Sequence, residues 1–210
     1  VTTGACAVHC RYCFRRHFDY ELDHASDGQR RWEEALDVLR KDASVTELIL
    51  SGGDPLSLGN ARLASLLESA QAIPQLARIR LHTRTPIVLP SRVDAGLLDA
   101  LRRVRCDLVI VVHANHAAEL NSAVARALGE LRGVSSLLLN QTVLLAGVND
   151  DPGVLADLSL RLFACGVLPY YLHLLDRVAG TAHFEVPDAR ALTLLAAVNA
   201  RLPGYLVPRL

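Results

Sequence analysis

The amino-acid sequence predicts an α/β fold, a parallel, TIM-like partial barrel of about six βα units with helices on the outside. The first observation is composition, because 51% hydrophobic and 21% charged residues in 210 suit one barrel-sized domain with a large core. The second is that short apolar runs alternate with longer segments of helical spacing. The third is that polar clusters follow the apolar runs, as active-site loops follow strands in a barrel.

Five short apolar or β-branched runs are predicted to be buried strands. Near-continuous apolar character is typical of parallel strands covered on both faces. The runs are "VTELILSGG" (45–53), "ARIRLHTR" (77–84), "CDLVIVVHAN" (106–115), "SSLLLNQTVLL" (135–145) and "GVLPYYLHLL" (166–175). We expect a sixth strand from a segment upstream of the first cysteine, and a further segment beyond the final "GYLVPRL".

Segments of helical spacing accompany these strands, and several open with Asn, Ser or Asp as candidate N-caps. They are "GQRRWEEALDVLRKD" (28–42), "NARLASLLESAQAI" (60–73), "SRVDAGLLDALRRV" (91–104), "HAAELNSAVARALGELRG" (116–133), "DPGVLADLSLRLFACG" (151–166) and "VPDARALTLLAAVNARL" (186–202). Strand and helix alternate without a linker. Residues 1–210 are therefore predicted to form one domain.

The stretch "CAVHCRYC" (6–13) places Cys6, Cys10 and Cys13 at spacings typical of a metal site. A structural zinc site takes four protein ligands, so three cysteines leave one corner open. Two interpretations follow: a 4Fe-4S cluster with one iron free for a small molecule, or a Cys3His zinc site completed by His9 or His17. Five cysteines in all, three of them clustered, favour reduced thiols and a cytoplasmic location over a disulfide framework.

Polar clusters at the ends of the predicted strands are expected to meet at one rim of the barrel. They are the cysteine loop, "SGGDP" (51–55), "HTRTP" (82–86), "HANH" (113–116), "LAGVNDD" (145–151) and "LLDRVAG" (174–180). The glycines of "SGGDP" would let the backbone approach a ligand, although the same residues make an ordinary turn.

Charge and hydropathy argue against two classes of partner. Lys+Arg and Asp+Glu balance at 22 each, so net charge indicates neither nucleic acid nor an anionic membrane surface. No apolar run approaches the roughly 20 residues of a membrane-spanning helix, and no signal-peptide pattern is present. We expect a small-molecule partner, with no membrane and no nucleic acid.

The cysteine loop followed by "SGGDP" resembles the radical S-adenosylmethionine (SAM) superfamily, in which three cysteines hold a 4Fe-4S cluster whose open iron chelates SAM. The segments "CRYCFRRHF", "LSGGDPL", "RTPIVLPSRV", "LNQTVLLAGVNDD", "PYYLHLLDRVAGTAHF" and "GYLVP" are similar to the lysine 2,3-aminomutase family within it. The resemblance covers essentially the whole chain. It is strongest to the bacterial branch that makes β-lysine for elongation factor P.

The resemblance implies roles for particular residues. The cluster ligands are Cys6, Cys10 and Cys13. The residues implied for SAM are Tyr12 at the adenine, the glycine-rich loop Ser51, Gly52, Gly53 and Asp54, and the strand-end residues His113 and Gln141. Arg15 matches the arginine for the substrate carboxylate, a task that suits a two-pronged donor, and Asp176 matches an acid for the lysine ammonium. No role is assigned to His116, His173, His183, Cys106 or Cys165.

The resemblance also implies a third cofactor, pyridoxal 5′-phosphate (PLP), which the family holds on a lysine and uses in the 2,3-migration of the amino group. The only lysine of this chain is Lys41, at the charged end of a predicted helix, which makes it a poor anchor. The family's PLP lysine follows the segment that matches "GYLVP". We therefore expect the anchoring lysine outside this sequence.

The implied reaction converts L-α-lysine to β-lysine for the modification of elongation factor P. The implied partners are an electron donor protein and a functional link to elongation factor P and its lysyl ligase, with a possible homo-oligomer. Two alternatives stay open: a 2,3-aminomutase of free lysine, arginine or glutamate, and a non-catalytic Cys3His zinc-binding module. Arg15 together with Asp176 favours a diamino acid over glutamate.

Overall fold

A parallel sheet forms the centre of the computed structural model, which describes residues 1–15, 17 and 25–210. Its strands are β1 (Glu47–Leu50), β2 (Arg78–Thr83), β3 (Asp107–Val112), β4 (Leu137–Val143) and β5 (Leu168–His173). The strand order follows the chain, and every neighbouring pair is parallel. An order without reversal is that of a barrel rather than a doubly wound sheet. The predicted α/β, TIM-like partial barrel is confirmed.

The helices are α1 (Ala25–Lys41), α2 (Asn60–Gln71), α3 (Thr85–Val88), α4 (Ala95–Arg102), α5 (Ser122–Arg132), α6 (Pro152–Ala164) and α7 (Asp188–Asn199). Side chains of Asp94, Asn121 and Asp151 cap α4, α5 and α6 by accepting hydrogen bonds from backbone N–H groups of the first turn. In the described part of the chain, no helix is both long and apolar enough to cross a membrane.

The segment after β2 differs from the prediction of one helix over 91–104. It forms the short helix α3, then a turn of 3-10 helix at Pro90–Arg92, and only then α4. Pro90 is the physical reason, because a proline has no backbone N–H to continue α3 and its ring disfavours helical backbone in the residue before it. The interruption leaves α3 directly after the end of β2, at the rim where polar side chains collect.

The main apolar core lies between the sheet and the helices that cover it. Leu63, Leu97, Leu128, Ile79 and Ile110 are fully buried there. A smaller cluster of Val109, Val111 and Leu139 occupies the inner face of the barrel, with Leu168 and Tyr170 packed against it. The helices therefore cover the outside, and the inner face stays available for a site.

Both ends of the chain extend the sheet without forming a sixth named strand among the described residues. Residues 2–5 run beside the end of β1, since Thr2 N donates to Ser51 O (2.7 Å) and Asp54 N donates to Ala5 O (2.8 Å). The Trp32 indole donates to Thr2 O at 2.9 Å and fastens this segment to α1. At the other edge, Arg209 forms a parallel bridge with Tyr171.

Candidate active site

One cavity of about 400 Å³ lies at the carboxyl ends of the strands, where a parallel barrel places its active site. It is lined by the cysteine loop, the glycine loop and the ends of β2 to β5. Of the residues predicted for the site, all but Ser51 line it: Cys6, Cys10, Tyr12, Cys13, Arg15, Gly52, Gly53, Asp54, His113, Gln141 and Asp176. The fold thus gathers residues from most of the chain around one space. The backbone carbonyl of Ser51 instead accepts a hydrogen bond from the N-terminal segment.

The cysteine loop turns tightly, with Cys13 N donating to Cys10 O at 3.2 Å. Cys6 is exposed, whereas Cys10 and Cys13 are half-buried. Within residues 1–15, 17 and 25–210, no three His, Cys, Asp or Glu side chains are arranged around a single metal ion. A cluster does not need such an arrangement, because each thiolate binds a different iron. His9 and His17 are exposed and do not line the cavity, so the geometry offers no support to the zinc alternative.

The thiols that would bind a metal lie in an environment of mixed charge. Burial raises the pKa of the Cys6 thiol, and the nearby Asp54 carboxylate raises it further. Burial also raises the pKa of Cys10, but there the charge of Arg84 acts in the opposite direction. Since metal binding requires the thiolate, Arg84 favours the competent form of Cys10.

Arg84 is a cavity residue that sequence reasoning missed. Its Nη2 donates to the Glu119 carboxylate at 2.8 Å, and its Nη1 lies 3.6 Å from the Cys10 Sγ. Its guanidinium carbon lies 5.5 Å from the centre of the Tyr12 ring, and the Tyr12 hydroxyl accepts a hydrogen bond from Asn115 at 2.6 Å. The signal that could have found it is the cluster "HTRTP" (82–86), which spans the end of β2.

The glycine loop lines the cavity, and the N-terminal segment of the chain packs closely against its backbone. Gly52 has φ +129°, a conformation that L side chains rarely adopt. A Cβ on Gly53 would contact Ala5 O and would lie 2.5 Å from Thr3 O, so residues 3–5 occupy the space that a side chain would need. The predicted approach of the backbone to a ligand stays a prediction. The approach that the structure contains is that of the segment leading to Cys6.

Asp54 has a well-defined task within the protein. It is buried, and its Oδ1 accepts hydrogen bonds from the Thr83 hydroxyl (2.6 Å) and Leu56 N (3.0 Å). Its Oδ2 accepts from Arg84 N (2.7 Å) and Thr85 N (2.9 Å). Because four internal donors engage this carboxylate, it holds the loops after β1 and β2 together, and the expected contact of Asp54 with SAM stays a prediction.

We expect the replacement Gly53→Ala to destabilise the protein by about 1 to 3 kcal/mol, because an added methyl group in this packed space forces a backbone shift. Chemical denaturation measures the effect. Gly129→Ala is the matched control, since nothing lies within 4 Å of its added Cβ, and alanine within a helix should stabilise by about 0.5 to 1 kcal/mol. Equal stability of the Gly53→Ala variant and the parent would contradict this account of the loop.

Polar side chains at the ends of β2 to β5 form a layer at the cavity floor: His82, His113, Gln141 and His173. Gln141 Nε2 lies 2.8 Å from His113 Nε2, and the His82 and His113 rings meet edge to face at 5.9 Å. Burial lowers the pKa of His113 to about 3 and that of His82 to about 4, with nearby positive charge as the second cause. Both imidazoles are therefore neutral at neutral pH and offer hydrogen bonds without charge.

His82 and His173 received no role in the sequence analysis, yet both line the cavity with the predicted His113 and Gln141. The register pairs His82 with Val111 and His173 with Val143. Alternation along β2 was the available signal, because side chains two residues apart share a face of the sheet. The hydrophobicity of these segments alone could not reveal that the two histidines line the cavity.

Acidification should destabilise the protein partly through His82. The folded-state pKa of about 4 lies below the ordinary value of 6.5, so between these values the unfolded chain holds more protons. The stabilisation present above pH 6.5 is therefore lost as the pH falls towards 4. The free energy of unfolding of a His82→Asn variant should decline less steeply than that of the parent over this range. An identical slope in denaturation curves at pH 4 to 7 would contradict the prediction.

Arg15 and Asp176 give the cavity one cation and one anion from different loops. Arg15 Nη1 donates to Gly52 O at 2.9 Å, and its guanidinium carbon lies 4.5 Å from the centre of the Phe14 ring. Asp176 is exposed, and its backbone carbonyl accepts a hydrogen bond from Val178 N at 2.9 Å. Arg15 is thus held at the glycine loop, whereas solvent screens Asp176.

A parallel partial barrel with a CxxxCxxC loop and a glycine loop at one rim defines a class of protein. The chain belongs to the radical SAM superfamily, whose family model matches residues 1–120. Within it, the chain is 45% identical to the L-lysine 2,3-aminomutase of Haemophilus influenzae and 44% identical to that of Escherichia coli K12, over all 210 residues. These matches cover 62% and 61% of the two relatives. The resemblance to lysine 2,3-aminomutases is confirmed.

A more distant relative agrees with this assignment, and a solved structure shares the fold. The L-lysine 2,3-aminomutase of Clostridium subterminale is 32% identical over 99% of this chain and 50% of its own length. The crystal structure of a radical SAM methyltransferase from Sphaerobacter thermophilus superposes with a TM-score of 0.64 over 100% of this chain and 63% of that one. At 18% identity, this likeness shows the fold alone.

Membership of the superfamily implies a 4Fe-4S cluster and SAM. The side chains that line the cavity are of the chemical types that could bind both. Three thiols share it, Arg84 lies beside one of them, and the Nε of Arg84 is buried without a hydrogen-bond partner in the described residues. A buried donor without a partner, on the arginine that contacts Cys10, is compatible with a bound group that accepts its hydrogen bond. Neutral acceptors and donors of the histidine layer suit an adenosine.

Proposed function

We propose that the protein is a radical SAM isomerase that converts L-α-lysine to β-lysine. The observation that carries the proposal is the joint placement, in one cavity, of the three-cysteine loop, the cation of Arg15 and the anion of Asp176. A diamino acid has a carboxylate and a side-chain ammonium, which these two charges complement. The similarity to proteins named L-lysine 2,3-aminomutase supports the same reaction.

The family resemblance and the shared cavity support the following proposed roles. Cys6, Cys10 and Cys13 would hold the cluster, and SAM would lie against Tyr12, the loop Ser51–Asp54, His113 and Gln141. When bound, cluster and SAM supply the radical that abstracts hydrogen from the substrate. Arg15 would bind the substrate carboxylate with the part of its fork that does not contact Gly52, and Asp176 would orient the ammonium end. We propose residues 1–210 as the domain that carries this site.

PLP does not fit the residues of this chain as a Schiff base. Lys41 is the only lysine, it ends α1, and it does not line the cavity. The end of α1 leads into the start of β1, which is the rim opposite the cavity. The expectation of an anchoring lysine beyond Leu210 stays a prediction.

The proposal is tested on the protein with the expected anchoring lysine included. It is incubated anaerobically with L-lysine, SAM, PLP and a chemical reductant, and β-lysine is measured by mass spectrometry. Asp176→Asn should lower the kcat/KM for lysine about tenfold, a modest loss because solvent screens an exposed charge. The neighbouring variant Arg177→Gln, at an exposed residue outside the cavity lining, is the control and should match the parent. Faster conversion of glutamate or arginine would contradict the choice of lysine.

We further propose that the β-lysine serves the modification of elongation factor P through its lysyl ligase. The motif resemblance to that branch supports this destination. The same branch supports an electron donor protein as partner, a cytoplasmic location and a homo-oligomeric state. Transfer of enzymatically made β-lysine to elongation factor P in a coupled assay tests the destination. A protein containing zinc and no sulfide after anaerobic purification would instead support the non-catalytic alternative.

A further inference from the structure

The guanidinium of Arg84 contacts a thiol of the cysteine loop. It lies in the cavity beside Cys10, and neither the cluster nor the substrate roles above require it. Its backbone is fixed by the hydrogen bond from Arg84 N to Asp54, directly before α3. The carboxylate of Asp54 therefore fixes the main chain of Arg84.

The side chain is held at its far end by a second carboxylate. Nη2 donates to Glu119 Oε2 at 2.8 Å, while Glu119 Oε1 accepts from Asn115 N (2.6 Å) and His116 N (3.0 Å). Glu119 is therefore fixed by backbone donors and can orient the guanidinium. Both partners are mostly shielded from solvent, with side-chain exposures of 19% for Arg84 and 23% for Glu119.

The held guanidinium brings one donor to the cysteine loop and leaves a second donor without a partner. Nη1 lies 3.6 Å from Cys10 Sγ, and Nε is buried with no partner within the described part of the chain. A cation that donates to a cysteine sulfur stabilises negative charge on that sulfur. Because the site is partly desolvated, the interaction is screened less than it would be at the surface.

We propose that Arg84 is a positioning residue that acts through Cys10 to raise the reduction potential of the 4Fe-4S cluster. The inference rests on the proposed function, because it requires that cluster. Reduction adds one electron, and so one negative charge, to the cluster with its bound thiolates. A fixed positive charge at Cys10 stabilises the reduced, more negative form over the oxidised form.

The test is a redox titration of the reconstituted protein with dithionite, followed by electron paramagnetic resonance without SAM or substrate. At the potential where half of the parent clusters are reduced, Arg84→Gln should show a ratio of reduced to oxidised cluster about tenfold lower. Arg84→Lys keeps the charge and should lie between the two. Arg92→Gln is the control, since Arg92 is a similarly buried arginine whose guanidinium donates to Leu56 O and Leu58 O (both 2.9 Å), outside the cavity lining.

Parent ratios in both Arg84 variants at full cluster content would overturn the inference, as would the same shift in Arg92→Gln. If Arg84→Gln holds no iron, Arg84→Lys alone decides. An Arg84→Lys protein that melts like the parent yet holds no iron would also overturn the inference, because Arg84 would then serve assembly of the cluster. Failure of the parent itself to form a cluster would instead refute the proposed function.

Discussion

Replacement of Cys10 by alanine is expected to abolish an oxygen-sensitive 4Fe-4S cluster in the anaerobically reconstituted protein. Three thiolates bind three of the four irons of the cube and leave one open, so the loss of one thiolate leaves only two protein ligands. Iron and sulfide analysis and the visible absorbance measure the result. We expect the same loss for Cys6→Ala and Cys13→Ala.

The matched control is Cys106→Ala, because Cys106 is half-buried like Cys10 but packs against the main apolar core, away from the cavity. Its iron content should equal that of the parent. Unchanged iron and absorbance in Cys10→Ala would refute the assignment of the cluster to this loop. A loss confined to Cys10→Ala, with full content in the other two variants, would refute the set of three ligands.

The second large effect is expected for Arg15→Lys, which should lower the kcat/KM for lysine about 30- to 1000-fold. Arg15 gives Nη1 to Gly52 O, and the rest of its planar fork can still form a two-pronged contact with a carboxylate. A lysine ammonium is a point charge and cannot serve both partners with the same geometry. Steady-state assays of β-lysine formation, on the protein with the expected anchoring lysine included, measure the change.

Cluster content and SAM binding should be unchanged in Arg15→Lys, which separates a substrate role from a structural one. Arg11→Lys is the control: Arg11 is exposed, lies in the same loop outside the cavity lining and contacts His183, so its variant should turn over near the parent rate. Conversion at the parent rate by Arg15→Lys would remove Arg15 from the substrate site.

The strands illustrate what can be predicted from sequence alone. All five observed strands lie within the predicted apolar runs, because a parallel strand covered on both faces must be apolar almost throughout. Of the candidate caps, Asp151 is confirmed, since a short acceptor satisfies the free N–H groups of the next helical turn. Asp94 caps α4 in place of Ser91, and Asn121 caps α5 inside the segment predicted from His116. Helix α2 departs from this pattern: its cap is Gly59, and Asn60 donates instead to Asp94.

Prediction of the site required more than the spacing and apolar character of single segments. Cys6, Cys10 and Cys13 were found from spacing, and Arg15 and Asp176 from the family resemblance. Arg84 and Glu119 were missed, because their pairing spans 35 residues and depends on how α3 lies after β2. Asp54 was identified as a cavity residue, but only the structure shows that its carboxylate is engaged by four internal donors.

The sequence by itself determined the alternation of strands and helices, the parallel barrel and the loop of three cysteines, since each depends on spacing or apolar character within one short segment. Tertiary structure alone decided which polar side chains share the cavity and what each one contacts. The approach of residues 3–5 to Gly53, the neutral His82 and His113, and the guanidinium at Cys10 all join segments distant in sequence. The physical reason is that burial and charge depend on neighbours in space, which only the closed fold brings together.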